Sequence, residues 1–325
     1  MLYNSLLNVI NQPFKLYILC LDESTHDFFI KYKNDFKNVY LIKILDFEVE
    51  NQDLEFAKLN RSKVEYYFTL SPVLPLYILK KFKLDHICSM DADLFFYNTP
   101  ESIFDSLKHY SIIITPHNFS KELDDRKKYG LFNVSFQIFK SDEIGFYCLN
   151  KWKNQCIDWC KDDYDEKNSR FADQKYLDSW EKDYKKHLLI LNRSDMGLAI
   201  WNINNYKLDF KSNLPISDGR NVIFYHFHNF KSITNNIIFN GFYNYKVKRN
   251  DNIDKIYKNY WQLLTNIIVK YELNIDKSIR TKEINILSKL INECTFYYFG
   301  FEKIFHFNLK YLHKIIRKIM IKIYG

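Results

Sequence analysis

Glycine is scarce in this chain, with 7 residues among 325. Neither G-x-G-x-x-G nor G-x-x-x-x-G-K-S/T occurs in the sequence. These are the glycine-rich loops whose backbone amides hold phosphate groups in two large classes of nucleotide-binding proteins. If the protein binds a nucleotide, other groups must therefore hold its phosphates.

Paired cysteine motifs are also absent, because the 6 cysteines include no C-x-x-C spacing. Cys156 and Cys160 lie four residues apart among apolar side chains such as Trp152 and Ile157. We predict that both thiols are buried in a core and do not bind a metal ion. The cysteine pattern favours a reducing compartment.

Long apolar segments are missing as well. A membrane-spanning helix needs about 18 consecutive apolar residues, and no such run occurs. The N-terminal residues lack the basic region and the apolar stretch of a secretory signal. These absences predict a cytoplasmic location.

The chain has 47% hydrophobic and 18% aromatic residues, which is enough for a large core. Its formal net charge of +8 suits nucleic acid, an anionic membrane surface, an anionic small molecule, or lysines that only face water. Because no helix-turn-helix, zinc or RNA-recognition motif accompanies the charge, we do not expect nucleic acid binding.

Short apolar runs alternate with helical segments along most of the chain. Runs at 15–21 and 39–45 enclose a helical segment at 23–36 whose cap we place at Ser24 or Thr25. Further strands are predicted at 86–90, 111–115, 133–140, 188–191 and 222–225, and further helices begin at Ser71-Pro72, Thr99-Pro100 and Ser141, with another over 171–180. This alternation predicts an α/β fold.

The pattern changes to long helical runs from about residue 255. We predict one domain over 1–240 and a helical extension over 241–325. Residues 302–324 form a basic amphipathic pattern, and two interpretations stay open for it. The helix packs on the main domain with its lysines in water, or it adheres peripherally to an anionic membrane face.

Asp91 and Asp93 come directly after the apolar strand 86–90. Open α/β sheets bind ligands beyond the carboxyl ends of their strands, and two such carboxylates can hold a divalent cation. That cation can clamp a diphosphate without a glycine loop. A capping or turn role is the competing interpretation. Asp163-Tyr-Asp165 has the same spacing without a preceding strand, and we interpret it as a solvated loop.

The run MDADLFFYNTPESIF at 90–104 resembles the D-x-D segment of GT-A glycosyltransferases, near the family 8-like retaining enzymes. It is similar in particular to bacterial transferases of surface-polysaccharide clusters. Other segments resemble the family in its order, at 60–72, 115–117, 132–136, 171–177 and 225–228. The resemblance spans roughly residues 1–235 and implies a Rossmann-like mixed sheet flanked by helices.

The resemblance also implies a metal site. Asp91, Asp93 and His226 would hold Mn²⁺ or Mg²⁺ and, through it, the diphosphate of a nucleotide-sugar donor. An imidazole ligand would favour Mn²⁺ over Mg²⁺. The alternative for His226 is a structural role in an aromatic cluster.

Asp173 and Gln174 match the Asp-Gln pair that such enzymes place beside the anomeric carbon. A carboxylate there can stabilise developing positive charge, orient the acceptor hydroxyl or act as a base. The alternative for Asp173 is the N-cap of its own helix.

Four further residues would bind the donor by the same resemblance. Asn133 would hydrogen-bond the sugar, His117 would contact sugar or phosphate, and Arg61 would contact the nucleotide. Lys231 would neutralise the leaving diphosphate. The match at Lys231 is imperfect, because Asn229 stands where the family has glycine and no Pro-Trp follows.

The implied reaction is metal-dependent sugar transfer from a nucleotide-diphosphate sugar to a glycan or lipid-linked acceptor, in surface polysaccharide or lipooligosaccharide synthesis. Retention of configuration follows by analogy only. The sequence departs from the family at residues 1–7, which resemble the middle of the family's first helix and not its opening strand. We therefore expect the native chain to begin upstream. A truncated, non-catalytic member that binds a sugar nucleotide or a partner is the alternative function.

Overall fold

The computed structural model describes residues 1–234, 237–273 and 294–296. The helices of this part are α1 (Leu2–Val9), α2 (Glu23–Lys31), α3 (Ile44–Val49), α4 (Leu54–Leu59), α5 (Lys63–Phe82), α6 (Glu101–Phe104), α7 (Glu143–Asp158), α8 (Trp180–Tyr184) and α9 (Asp251–Lys270). The strands are β1 (Leu16–Cys20), β2 (Val39–Lys43), β3 (His86–Met90), β4 (Leu94–Phe96), β5 (Ile112–Pro116), β6 (Phe132–Lys140), β7 (Leu188–Ile190), β8 (Leu198–Ala199), β9 (Leu208–Lys211), β10 (Leu214–Ser217), β11 (Arg220–Asn221), β12 (Phe224–His226), β13 (Lys231–Thr234), β14 (Ile237–Phe239) and β15 (Cys294–Phe296).

Parallel and antiparallel pairs are mixed in the first of two compact units, Met1–Phe227. Its largest sheet has the order β3-β6-β5-β7, in which β6 runs antiparallel to both neighbours and β7 runs parallel to β5. β1 and β2 form a parallel pair, and β4-β12-β8 form a small mixed sheet. Helices flank these sheets, so the predicted α/β class with a mixed sheet is confirmed.

Helix α5 covers two separate sheets. Its Leu70 and Val73 are buried in one cluster with Leu19 of β1 and Ile87 of β3. Within the described residues, β1 pairs only with β2 and β3 pairs only with β6.

The central core lies between α5, α7 and the main sheet. Trp152, Cys156 and Cys160 are fully buried there, beside Phe139 of β6 and Trp180. The apolar neighbours explain why these thiols lie inside. The prediction of buried cysteines is confirmed.

Two predicted helix starts are wrong. Helix α5 begins at Lys63 and not at Ser71-Pro72, because Ser62 and Glu65 form a complete capping box at its start. Pro72 lies inside the helix, so its residue type did not mark a terminus. The cap of α2 is Asp22, whose side chain accepts a hydrogen bond from the Thr25 N–H, and is neither Ser24 nor Thr25.

The second compact unit, His228–Gly325, is described only in part. β13, β14 and β15 form an antiparallel sheet in it, and α9 begins after its N-cap Asn250. The unit boundary falls at 227/228, whereas the sequence placed the domain boundary at 240/241. The predicted basic helix at 302–324 lies outside the described residues. None of the described helices has the length and apolar character needed to cross a membrane.

Candidate metal and catalytic site

Strand pairing brings Asp91, Asp93 and His226 close together in space. Asp91 follows β3 directly, and its N–H donates a hydrogen bond to the Ser135 carbonyl of β6 at 3.0 Å. Asp93 precedes β4, which pairs antiparallel with β12 so that His226 lies opposite the first residue of β4. The Phe227 N–H donates to the Asp93 carbonyl at 3.0 Å and extends this pairing.

The three side chains converge within ligand distance of a single ion. His226 Nε2 lies 3.0 Å from Asp93 Oδ1 and 3.7 Å from Asp91 Oδ2. One ligand atom from each residue lies within 4.8 Å of the other two. The imidazole is 6% exposed, whereas each carboxylate is 44% exposed. The histidine thus lies on the buried side of the cluster, and the carboxylates are accessible to solvent.

The charges of the cluster act on one another. Burial lowers the pKa of His226, but the hydrogen bond and charge of Asp93, helped by Asp91, outweigh burial and raise that pKa overall. Loss of hydration raises the pKa of Asp91, the Asp93 charge adds to the rise, and the His226 charge opposes it. Two carboxylates held this close favour a bound cation.

Asp173 has a buried carboxyl whose pKa responds to the charge of Asp91. Asp173 is 2% exposed, and its Oδ2 has no hydrogen-bond partner in the part of the chain that the structure describes. Burial raises the pKa of Asp173 to about 7, a hydrogen bond from Ser71 opposes the rise, and the Asp91 charge adds to it. Asp173 occupies the N-cap position of the short 3₁₀ helix Gln174–Ser179, as its alternative interpretation predicted, but its side chain makes no capping hydrogen bond there. Asp173 and Asp91 are thus close enough to interact electrostatically.

Gln174 and His117 hold two adjacent peptide groups. Gln174 Nε2 donates to the Tyr129 carbonyl at 3.0 Å. His117 Nδ1 lies 3.0 Å from the Gly130 carbonyl, a contact that places the proton of a neutral imidazole on Nδ1. His117 is 6% exposed and stacks on Phe119. Both side chains therefore order the loop that leads into β6.

Asn133 is buried at the start of β6 and bonds within the protein. Its Nδ2 donates to the Pro116 carbonyl at 3.2 Å, and its Oδ1 accepts from the Ser135 N–H at 3.1 Å. These bonds join the ends of β5 and β6. Asn133 thus supports the strand from which Ser135 holds Asp91.

Arg61 and Lys231 are the two remaining residues that the family resemblance assigns to donor binding. Arg61 Nη2 donates to the Ile157 carbonyl at the end of α7, at 2.8 Å. Its Nε and Nη1 are buried without a hydrogen-bond partner among the described residues. Lys231 begins β13 of the second unit. In that unit the Tyr245 hydroxyl lies 2.8 Å from His228 Nε2.

Trp201 is not among the residues predicted to form the site, yet its ring lies 5.0 Å from the His226 ring. The contact depends on parallel pairing of β8 with β12, which joins segments that are distant in sequence. The residues on either side of Trp201 in the sequence do not indicate that β8 pairs with β12. The signal that could have found it is the short apolar run at 198–201, which lies between two predicted strands.

The second D-x-D motif is a loop, as predicted. Asp165 accepts hydrogen bonds from Arg170 at 2.8 Å and from Asn168, and these bonds lower its pKa to about 2. No strand leads into it. Its carboxylate is engaged by the neighbouring arginine.

The fold and the cluster define an α/β protein with a carboxylate–histidine site at the end of a sheet strand. No family model matches the chain. The chain is 28% identical to the uncharacterized protein YfnD of Bacillus subtilis strain 168 over 223 residues, which are 68% of this chain and 70% of YfnD. It is 30% identical to the uncharacterized protein YfnF of the same strain over 237 residues, which are 70% of this chain and 76% of YfnF. The chain belongs to the same protein family as YfnF.

A solved structure is also similar, the crystal structure of a glycosyltransferase involved in the glycosylation of the major capsid of PBCV-1. The match covers 66% of this chain and 93% of that chain, with 9% identity and a TM-score of 0.37.

Proposed function

We propose that the protein is a metal-dependent glycosyltransferase of the GT-A type, which transfers a sugar from a nucleotide-diphosphate sugar to a glycan or lipid-linked acceptor. The observation that carries the proposal is the convergence of Asp91, Asp93 and His226 at the end of β3. The sequence resemblance of residues 90–104 to the D-x-D segment of such enzymes supports it.

The three candidate metal ligands, Asp91, Asp93 and His226, fit Mn²⁺ or Mg²⁺. Two carboxylates suit both ions, and the imidazole makes Mn²⁺ the better fit. Three protein ligands leave coordination positions for diphosphate oxygens, and the ion would neutralise the leaving diphosphate. Since each carboxylate is 44% exposed, a donor has access to the ligand atoms.

Asp173 is the residue that we assign to the reacting sugar. Its buried carboxyl with a raised pKa can hold a proton or release it near neutral pH, which suits a base or a group that stabilises positive charge. Gln174 would act beside it, on the loop that its own side chain orders. Asn133, His117, Arg61 and Lys231 stay proposed donor contacts, carried by the family resemblance.

Three finer parts of the proposal rest on that resemblance alone: a hexosyl donor, retention of configuration, and an acceptor in surface polysaccharide or lipooligosaccharide synthesis. A cytoplasmic location and peripheral contact to the inner membrane face are proposed from the sequence pattern, the contact from the basic residues at 302–324. The alternative is a non-catalytic member that binds a sugar nucleotide or a partner.

A thermal-shift screen of nucleotide-diphosphate sugars with Mn²⁺ tests the proposal. A donor at 100 times its Kd should stabilise the folded chain by about 2.7 kcal/mol, and the shift should need Mn²⁺. Asp91→Asn should remove the shift and the slow donor hydrolysis that accompanies binding. Asp163→Asn, in the second D-x-D, is the matched control and should change neither.

Two outcomes would count against the proposal. A folded chain that neither binds nor hydrolyses any donor of the panel favours the non-catalytic alternative. A donor that binds equally well to the wild type and to Asp91→Asn places the binding site elsewhere.

A further inference from the structure

Trp201 packs directly against the metal-site histidine. Its ring centroid lies 5.0 Å from that of His226, at an interplanar angle of 87°. The tryptophan is 5% exposed and His226 is 4% exposed, so the contact is shielded from water. Such edge-to-face pairs are a favoured aromatic geometry.

The indole of Trp201 also packs against a second ring, that of His117. His117 lies 5.3 Å from Trp201 at 71°, and Phe119 stacks on His117 at 4.6 Å and 11°. Four rings therefore form a continuous row that ends at His226. These contacts and the burial of Trp201 limit movement of the indole, so it is a rigid neighbour of the imidazole.

Backbone contacts hold the Trp201 segment in place. β8 pairs parallel with β12, and Ala199 is in register with His226. Asn202 accepts a hydrogen bond from the Ala199 N–H at 2.9 Å and donates to the carbonyls of Gly197 at 2.9 Å and His117 at 3.0 Å. All three bonds are within the buried interior, so the position of the segment is closely determined.

Orientation of the imidazole matters for the cluster. The ring torsion of a histidine has broad, twofold preferences, so neighbours must select the orientation that directs Nε2 to the ligand position. Here Nε2 lies 3.0 Å from Asp93 Oδ1, while the indole limits rotation of the ring. Groups that orient a ligating histidine contribute to metal affinity although they do not touch the ion.

We infer that Trp201 is a positioning residue for His226, with Asn202 fixing the Trp201 segment, and that this arrangement raises the affinity of the cluster for a divalent cation. The inference rests on the proposed metal site. It concerns metal affinity and does not depend on which sugar or acceptor is used.

Mn²⁺ titration of the full chain, followed by electron paramagnetic resonance of the free ion, tests the inference. Trp201→Leu should weaken Mn²⁺ binding about 10-fold or more, whereas Trp201→Phe, which keeps a ring beside His226, should stay within about threefold of the wild type. Trp180→Leu is the matched control, because Trp180 is also buried but packs against Trp152 at 5.5 Å. Its Mn²⁺ Kd should be unchanged in the folded fraction.

The outcomes separate the two proposals. If the wild type and Asp91→Asn bind Mn²⁺ equally, or neither binds it, the proposed metal site fails. If Asp91→Asn abolishes binding and folded Trp201→Leu keeps the wild-type Kd, the positioning role is overturned alone. Should Trp201→Leu not fold, Asn202→Ala keeps the indole and removes the hydrogen bonds of its segment. An unchanged Kd in that variant also overturns the inference.

Discussion

Asp173→Asn should change how the stability of the metal-free protein depends on pH. The carboxyl is 2% exposed, and its Oδ2 has no hydrogen-bond partner in the described part of the chain. Burial is the main cause that raises its pKa from 3.8 to about 7. Asparagine has nearly the same shape but does not titrate, so it removes this dependence with little change in packing.

The sign follows from proton linkage. The folded chain binds the Asp173 proton more tightly than the unfolded chain, so this stabilisation is complete below about pH 4 and is lost as pH rises through about 7. Between these values the free energy of unfolding should fall by about 1.4 kcal/mol per pH unit. Because the two pKa values lie about 3 pH units apart, the whole effect is on the order of 4 kcal/mol.

Urea unfolding at pH 5, 6, 7 and 8 without metal measures the effect. The wild type should lose stability relative to Asp173→Asn across this range, and the difference should level off above pH 8. Asp165→Asn is a suitable control, since hydrogen bonds lower the pKa of Asp165 to about 2 and its titration lies below the range. Parallel stability curves for the wild type and Asp173→Asn would refute the assignment of a raised pKa to Asp173.

Two further predictions concern close packing. Gly197→Ala should destabilise the protein by more than Gly219→Ala in urea unfolding. Both residues have positive φ, but a Cβ at Gly197 would clash with Thr115 Cγ2, whereas a Cβ at Gly219 would meet no atom. Overpacking of this kind costs about 1–3 kcal/mol beyond the backbone strain, and equal losses would contradict the predicted clash. Cys156 and Cys160 should resist a thiol reagent at pH 8 until the chain unfolds, since both are fully buried and burial raises the pKa of Cys156. Rapid labelling of either residue in the native protein would contradict this.

The sequence pattern was sufficient to predict the part of the site that comes from one continuous segment of the chain. The apolar run 86–90 predicted β3, and the position of Asp91 and Asp93 after it follows from chain order alone. The same reasoning separated this motif from Asp165, which has no strand before it. Sequence could not place His226 by pattern, because that placement needs the β4–β12 register. The family resemblance supplied it.

The wrong helix starts have a physical explanation. Ser71-Pro72 has the residue types of a helix start, but Ser62 and Glu65 bond reciprocally, and each side chain accepts a hydrogen bond from the backbone N–H of the other residue. The apolar residues from Val73 to Leu79 pack against the core in either case, so periodicity does not distinguish the two starts. Tertiary contacts of the longer helix outweigh the two unfavourable prolines inside it, Pro72 and Pro75.

Metal binding and the protonation of Asp173 should be coupled. The charge of Asp91 is one cause of the raised pKa of Asp173, and a cation at Asp91 would offset that charge. Mn²⁺ should therefore lower the pKa of Asp173, and the deprotonated form should bind Mn²⁺ more tightly by the same factor. Near pH 7, where the carboxyl is about half protonated, Mn²⁺ binding should release a fraction of a proton from Asp173 besides that from His226. Calorimetry in two buffers of different ionisation enthalpy measures this release, which should be smaller for Asp173→Asn. If the wild type and Asp173→Asn release equal numbers of protons, the protonation of Asp173 does not depend on the bound ion. The predicted difference would mean that metal binding itself converts the buried carboxyl to the charged form that a base requires.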